Sequence, residues 1–138
     1  MSNNIKKIGV LTSGGDSPGM NAAIRSVARA CAYHNIKCAG IYRGYEGMME
    51  GDFKELTARN VKGIINKGGT ILKSARSNGF RTKEGRQKAY DALKAENIDG
   101  LVVIGGDGTF TGALVFNQEF DFPVMGIPGT IDNDIIGT

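Results

Sequence analysis

Residues 98–109 read IDGLVVIGGDGT, and this stretch decides the fold. Its first part, 98–104, is apolar and β-branched, which predicts a buried strand. The sequence GGDG at 105–108 ends that strand, and apolar residues at helical spacing resume at 110–116. A strand that passes through a glycine turn into a helix is the unit from which parallel sheets are assembled.

The same pattern opens the chain. Residues 5–12 predict a buried strand, 13–19 a tight turn, and Pro18 the first turn of a helix whose apolar residues recur with a period near 3.6 as far as Cys31. Ser17 is suited to cap that helix. Further predictions are strands at 36–42 and 122–127, a helix at 82–96 with Ala89, Tyr90 and Leu93 inward, a glycine-bracketed loop at 44–51, a helical turn at 61–66, and a short strand or loop at 71–77.

Alternating strands and helices predict an α/β fold with an open, mostly parallel sheet and helices on both faces. Ligands of such sheets lie outside the carboxyl ends of the strands. The polar loops at 13–19, 105–109 and 128–134 all follow strands, so we expect them on one edge. No internal domain boundary is visible along residues 1–138.

Composition excludes several classes of protein. The chain has 138 residues, 41% hydrophobic and 22% charged, as in an ordinary globular domain, and no apolar run reaches the roughly 20 residues of a membrane span. The net charge of +3 is spread along the chain, which does not indicate nucleic acid but is compatible with anionic small molecules. Residues 1–10 lack a signal-peptide core, so we expect a cytoplasmic protein. Cys31 and Cys38, without CxxC spacing, are predicted to be small buried hydrophobic residues.

Two loops share the sequence GGD, at 14–16 and 105–107. Each joins a strand to a helix start, where backbone N–H groups and the helix dipole attract anions such as phosphate. The alternative is a pair of tight turns without a ligand. Neither GxGxxG nor the P-loop pattern fits, because Gly112 comes one position late for the first and Gly69 replaces the lysine of the second.

Charged residues near these loops have two interpretations each. Asp107 either holds Mg2+ beside phosphate oxygens or caps a helix. Asp132 and Asp134 either share a site as general base and partner or form a hydrogen-bonded turn. Arg76 either clamps a transferring phosphoryl group or is a surface arginine. Arg25 and Arg29, at i and i+4 on the first predicted helix, are either a second anion site or solvent-exposed.

Three motifs together resemble one family. They are GVLTSGGDSPGMN at 9–21, GGDGT at 105–109 and PGTIDND at 128–134, and in this order they are similar to the bacterial, ATP-dependent 6-phosphofructokinases, over about residues 6–138. The resemblance implies a Rossmann-like phosphofructokinase fold and phosphoryl transfer from ATP to the 1-hydroxyl of fructose 6-phosphate, giving fructose 1,6-bisphosphate in glycolysis. The alternatives are a pyrophosphate-dependent enzyme and a non-catalytic nucleotide-binding module.

The resemblance also implies residue roles. Asp132 takes the proton from the sugar hydroxyl, Asp107 holds Mg2+, and Arg76 neutralises charge in the transition state. Thr130 and Asp134 position the sugar, the phosphoryl group or the metal, and Ile131 contributes to binding of the substrate. The nucleotide is bound by Gly15, Tyr45, Arg76, Ser77, Gly106, Asp107, Gly108, Thr109 and Gly112.

Two glycines indicate which phosphoryl donor the protein uses. Pyrophosphate-dependent relatives carry Asp at the place of Gly108 and Lys at the place of Gly129. Both glycines therefore favour ATP. In the family, Arg25 and Arg29 match arginines of an effector site at a subunit interface, but Ala58 and Gly63 depart from its other residues. The family's greater length implies that residues 1–138 are the N-terminal part of a nucleotide-binding domain, inactive alone, and that the full-length protein is a homotetramer.

Overall fold

The structure, a computed structural model, describes residues 5–13, 18–59, 61, 72 and 79–129. Along the chain its elements are β1 Lys7–Thr12, α1 Pro18–Tyr33, β2 Lys37–Ile41, α2 Gly44–Glu50, β3 Phe53–Leu56, a 3-10 turn at Gly79–Arg81, α3 Lys83–Ala95, β4 Gly100–Gly105, α4 Asp107–Phe120 and β5 Val124–Pro128. Within these described ranges the strands form one sheet in the order β3-β2-β1-β4-β5, and each neighbouring pair is parallel except β2 with β3.

Helices cover both faces of the sheet. Successive strand residues point to opposite faces, so Val102 packs in the core beneath α1, whereas Val103 packs in the core beneath α2, α3 and α4. Fully buried helix residues anchor these layers: Ile24 of α1, Met48 of α2, Ala89 and Leu93 of α3, and Phe116 of α4. The predicted α/β class, with a mostly parallel sheet and helices on both faces, is confirmed.

Most predicted elements are observed with ends shifted by one or two residues. The four predicted strands are β1, β2, β4 and β5, and the helix predicted at 82–96 is α3. Its start is fixed by Thr82, whose Oγ1 accepts a hydrogen bond of 2.9 Å from the backbone N–H of Gly85. The predictions at 61–66 and 71–77 lie outside the described residues, except for Val61 and Leu72, which are both buried.

The loop predicted at 44–51 is wrong, because these residues form the helix α2. Gly51, just after the helix, has a φ angle of 75°, the left-handed conformation in which helices commonly end, and Gly44, its first residue, has a φ angle of 57°. Tyr45 and Met48, three positions apart, are buried on one side of it. The bracketing glycines therefore mark where this short helix begins and ends.

Two further corrections concern β3 and α4. The sequence FKEL of β3 does not alternate apolar and polar residues, and only Leu56 is buried, so no local pattern predicts a strand here. The strand forms because these residues pair with β2 at the edge of the sheet. The helix predicted at 110–116 begins earlier, at Asp107, and ends at Phe120. The residues Asp107 to Thr109 are therefore the first turn of α4. No helix among the described residues has the length and apolarity needed to cross a membrane.

Candidate functional site

Three strand ends meet at one edge of the sheet. The backbone N–H of Ser13, just after β1, donates to the carbonyl of Ile104 in β4 at 2.9 Å. The N–H of Gly129, just after β5, donates to the carbonyl of Gly105 at 3.0 Å. Because β2 and β4 lie on opposite sides of β1, the winding of the chain reverses here, and such reversal points are where α/β sheets bind ligands.

Gly105 is a glycine because neighbouring backbone leaves no room for a side chain. An added Cβ would lie 2.5 Å from the carbonyl oxygen of Ser13 and 2.6 Å from Oγ1 of Thr109. Contacts this short do not occur at real Cβ atoms, and the first involves backbone that cannot swing aside. The close approach of β1 to β4 therefore requires glycine at this position.

Gly106 and Gly108 have no such requirement. An added Cβ at either position would meet no protein atom within 4 Å among the described residues, and neither glycine has a left-handed φ. Both are exposed at the start of α4. Packing within the described protein gives no reason for glycine at these two positions, whereas close approach of a ligand to the backbone does.

The start of α4 is an uncapped helix N-terminus. Gly106 is the N-cap residue and supplies no side-chain hydrogen bond, and the N–H of Phe110 makes the bond of 3.0 Å to Gly106 that begins the helix. Backbone N–H groups ahead of that bond have no partner within the helix. Together with the helix dipole, they form an arrangement that binds anions.

Asp107 is the first residue of α4 rather than its cap. Oγ1 of Thr111 donates to the backbone carbonyl of Asp107 at 3.0 Å, and the Asp107 side chain is exposed at the sheet edge. A carboxylate beside an anion-binding turn repels a phosphate unless a cation lies between them. Carboxylate oxygen is a ligand that Mg2+ prefers, so the chemistry of this site fits the metal.

Tyr45 supports the first turn of α4 from the buried side of that turn. Its hydroxyl donates a hydrogen bond of 2.6 Å to the carbonyl of Thr109, and burial raises the pKa of the phenol above its ordinary value. The ring stacks on Phe80 with a centroid distance of 4.0 Å. An added Cβ at Gly112 would lie 3.4 Å from the Tyr45 ring. The structure thus brings Tyr45, Thr109 and Gly112 together, and their role in nucleotide binding stays a prediction.

Several predicted site residues lie outside the described part of the chain, and their roles stay predictions. They are Gly15, Arg76, Ser77, Thr130, Ile131, Asp132 and Asp134. The described residues Ser13 and Gly129 lead directly into two of these segments from the shared edge. Arg25 is half-buried and Arg29 exposed on α1, and their predicted effector role is likewise a prediction.

Sequence reasoning missed Phe80 and Arg86. Nη1 of Arg86 donates to the carbonyl of Phe80 at 3.0 Å, and Nε and Nη2 grip the Glu119 carboxylate at 2.6 Å and 2.9 Å. Arg86 thereby connects the turn that carries Phe80 to α4. Since Arg86 and Glu119 are 33 residues apart on different helices, no local spacing indicates this pair.

The fold and this edge define an α/β protein with a glycine turn, an uncapped helix N-terminus and an adjacent carboxylate at the switch point of its sheet. Residues 7–138 match the family described as phosphofructokinase. The chain therefore belongs to the phosphofructokinase family.

Relatives and solved structures agree with this membership. The chain is 61% identical to the ATP-dependent 6-phosphofructokinase 2 of Bacteroides thetaiotaomicron and 60% identical to the ATP-dependent 6-phosphofructokinase of Cytophaga hutchinsonii, in both cases over 134 residues, 97% of this chain and 41% of the relative. The chain thus spans about two fifths of their length. The phosphofructokinase of Saccharomyces cerevisiae superposes with a TM-score of 0.88 at 40% identity, covering 96% of this chain and 21% of that one.

A second solved structure, the Pichia pastoris phosphofructokinase in the T-state, gives a TM-score of 0.87 at 41% identity, covering 97% of this chain and 16% of that one. A pyrophosphate-dependent phosphofructokinase from Marinobacter aquaeolei also shares the fold, with a TM-score of 0.76 over 90% of this chain and 33% of that one. At 20% identity this last likeness concerns the fold alone.

Proposed function

We propose that a full-length chain carrying these residues transfers the γ-phosphoryl group of ATP to the 1-hydroxyl of fructose 6-phosphate, a step of glycolysis in the cytoplasm. The observation that carries the proposal is the edge itself, where an uncapped helix N-terminus and the exposed Asp107 adjoin the ends of β1 and β5. Membership of the phosphofructokinase family and about 60% identity to ATP-dependent members support it.

The nucleotide phosphates are bound by backbone N–H groups in this proposal. The first turn of α4, from Gly106 to Thr109, offers its unpaired N–H groups to phosphate oxygens, and Gly15 does the same from the loop after β1. Gly106 and Gly108 let the backbone approach the phosphates because neither has a Cβ. Tyr45 keeps the turn in place through its bond to Thr109.

Asp107 would hold Mg2+ at this turn. The metal supplies positive charge that neutralises the phosphate oxygens during transfer. The exposed carboxylate of Asp107 provides an oxygen ligand on the side of the turn that faces away from the core.

The acceptor is handled by the segment after Gly129. Asp132 takes the proton from the 1-hydroxyl as it attacks, while Thr130, Ile131 and Asp134 position the sugar or the phosphoryl group. Arg76 neutralises the charge that develops on the transferred group, and Ser77 lies beside the nucleotide. The hydrogen bond from Gly129 to Gly105 supports this assignment, because it holds the start of this segment next to the first turn of α4.

Gly108 favours ATP as the phosphoryl donor more strongly than Gly129 does. A side chain at 108 would meet no described protein atom within 4 Å, so an aspartate there would meet the nucleotide and repel its phosphates. An added Cβ at 129 would instead lie 3.1 Å from Cε of Met20 and 3.6 Å from Cα of Gly105. Packing alone thus accounts for part of the need for glycine at 129.

The remaining proposals concern the whole protein. Residues 1–138 form the N-terminal part of the nucleotide-binding domain, and the segment alone is inactive because the family's sugar-phosphate arginines lie beyond it. The full-length protein is a homotetramer. Arg25 and Arg29 bind an anionic effector at a subunit interface.

The test replaces two carboxylates in the full-length protein. Asp132→Asn is expected to lower kcat for fructose 6-phosphate by roughly 10²–10⁴-fold, the usual contribution of a general base. Asp107→Asn is expected to abolish Mg2+-dependent turnover, and the exposed Asp91→Asn on α3 serves as the matched control with unchanged kcat. Circular dichroism and the unfolding midpoint verify the fold of each variant. Wild-type turnover by a folded Asp132→Asn or Asp107→Asn variant would overturn the assignment.

A further inference from the structure

The side chain of Arg86 connects two other elements through three hydrogen bonds. Nε and Nη2 donate to the two carboxylate oxygens of Glu119 on α4, at 2.6 Å and 2.9 Å, and Nη1 donates to the main-chain carbonyl of Phe80 at 3.0 Å. The Arg86 side chain is 13% exposed and the Glu119 side chain 25%. A bidentate pair that is largely enclosed has a defined geometry, unlike a single ion pair on an open surface. Glu119 therefore orients the guanidinium group so that its remaining bond falls on Phe80.

The carbonyl that Arg86 holds belongs to the 3-10 turn Gly79–Arg81. Phe80 is the buried residue of this turn, with an exposed fraction of 4%. In the sequence, Arg76 comes three positions before Gly79. The contacts that fix this turn therefore also fix the point at which the segment carrying Arg76 joins the described fold.

The other end of that segment is attached as well. The carbonyl of Leu72 accepts a hydrogen bond of 2.9 Å from the backbone N–H of Arg43, which follows β2 at the carboxyl edge of the sheet. Leu72 is 1% exposed. The described fold thus holds residues 72 and 80, and Arg76 lies between them in the sequence.

Phe80 also contacts the support of the glycine turn. Its ring stacks on the ring of Tyr45 with a centroid distance of 4.0 Å, and the Tyr45 hydroxyl donates to the carbonyl of Thr109. Through Phe80, the guanidinium of Arg86 is therefore connected to the first turn of α4 as well as to the segment of Arg76.

We propose that Arg86 and Glu119 are positioning residues for phosphoryl transfer, a role that rests on the proposed function: they hold Phe80 so that Arg76 reaches the transferred group. A displacement of about 1 Å at a catalytic group can lower a rate by about 100-fold. Arg76 neutralises charge that develops in the transition state, so a displaced Arg76 lowers kcat more than it changes the KM for fructose 6-phosphate.

Steady-state kinetics of the full-length protein separate this role from a purely structural one. Arg86→Met removes the three hydrogen bonds and keeps an unbranched stem, and it is expected to lower kcat by about 10- to 100-fold. Lys7→Met is the matched control, because Nζ of Lys7 likewise binds a carbonyl and a carboxylate, both of Glu96, at 3.1 Å and 3.2 Å, but at the amino end of β1. We expect wild-type kcat in Lys7→Met. Equal kcat in Arg86→Met and the wild type would overturn the positioning role.

A double-mutant cycle tests whether Arg86 acts through Arg76. Arg86→Met is expected to lower kcat much less in the Arg76→Ala background than in the wild type, because the group that it displaces is then absent. The same fold-loss in both backgrounds would refute this route. Turnover by the wild type tests the proposed function, whereas the comparison of the two backgrounds tests the role of Arg86.

Amide hydrogen exchange tests the same role without turnover. In Arg86→Met, amides of residues 73–82 are expected to exchange faster than in the wild type, while those of β1 and β4 keep their rates. Glu119→Gln leaves Arg86 one acceptor oxygen and should show a smaller change at the same residues, so it replaces Arg86→Met if that variant does not fold. Unchanged exchange at 73–82, or equal acceleration along the whole chain, would contradict the positioning role.

Discussion

The hydroxyl of Tyr45 lies 2.6 Å from the carbonyl oxygen of Thr109 and donates a hydrogen bond to it, although the two residues are 64 positions apart. This bond joins α2 to the first turn of α4. The stack of Tyr45 on Phe80 extends the connection to the 3-10 turn before α3. The first turn of α4 is therefore supported by the side of the molecule that α2 and α3 form.

Replacing Tyr45 with phenylalanine should weaken this support. Tyr45→Phe removes the hydrogen bond but keeps the ring, so we expect the free energy of unfolding to fall by about 1 kcal/mol. Tyr90→Phe is the matched control, because the described residues give its hydroxyl no hydrogen bond while its ring packs in the same aromatic cluster. Urea denaturation of the full-length protein measures the free energy of unfolding of both variants. Equal losses in the two variants would show that the bond to Thr109 does not contribute.

Gly105→Ala should destabilise the sheet edge. Because the new Cβ would lie 2.5 Å from the backbone oxygen of Ser13, the ends of β1 and β4 must move apart. We expect a loss of about 1–3 kcal/mol in the free energy of unfolding, the usual cost of overpacking. Gly106→Ala, whose Cβ would have no described protein atom within 4 Å, should change the free energy of unfolding far less. Similar stability of the two variants would contradict the close approach described for Gly105.

Gly108→Asp should separate stability from activity. No described protein atom lies within 4 Å of an added Cβ at this position, so we expect an unchanged unfolding midpoint. The carboxylate would repel the nucleotide, so the KM for ATP should rise steeply or turnover should be lost. Gly108→Ala adds only the methyl group and should have the smaller effect. Normal ATP kinetics in Gly108→Asp would refute the placement of phosphates at this turn.

The ion pair between Arg86 and Glu119 should make stability depend on pH. The hydrogen bond from Arg86 lowers the pKa of Glu119, so the pair stabilises the fold above the ordinary glutamate pKa of about 4.3. That contribution is lost as the pH falls through the lower pKa of the folded state. Glu119→Gln should therefore melt at a lower temperature than the wild type near neutral pH, with a difference that shrinks in acid. A difference independent of pH would contradict this account.

Local sequence accounts for much of this fold. The strand at 98–104 and the glycine turn after it are predicted because burial and chain reversal each demand particular residue types over a few positions. The meeting of three loops at one edge follows from the rule for parallel sheets. The hydrogen bonds of Ser13 and Gly129 to β4 show that the three strand ends meet there, whereas most residues of the first and third loops lie outside the described part of the chain.

Other features depend on contacts that no local pattern records. The helix α2 contains glycines, which local propensity assigns to a loop. Its residues Tyr45 and Met48 are buried against the rest of the fold, a contact that the local sequence does not record. The grip of Arg86 on Glu119 likewise depends on how α3 and α4 pack together. These relationships need the three-dimensional arrangement.

The most direct measurement of the proposed function is phosphoryl transfer to fructose 6-phosphate by the full-length protein, with Mg-ATP and Mg-pyrophosphate assayed in parallel. We predict formation of fructose 1,6-bisphosphate with ATP and none with pyrophosphate, because Gly108 leaves the space over the turn open for a nucleotide. Turnover with pyrophosphate alone would contradict the choice of donor. A folded protein that uses neither donor would contradict the proposed reaction and favour a non-catalytic nucleotide-binding module.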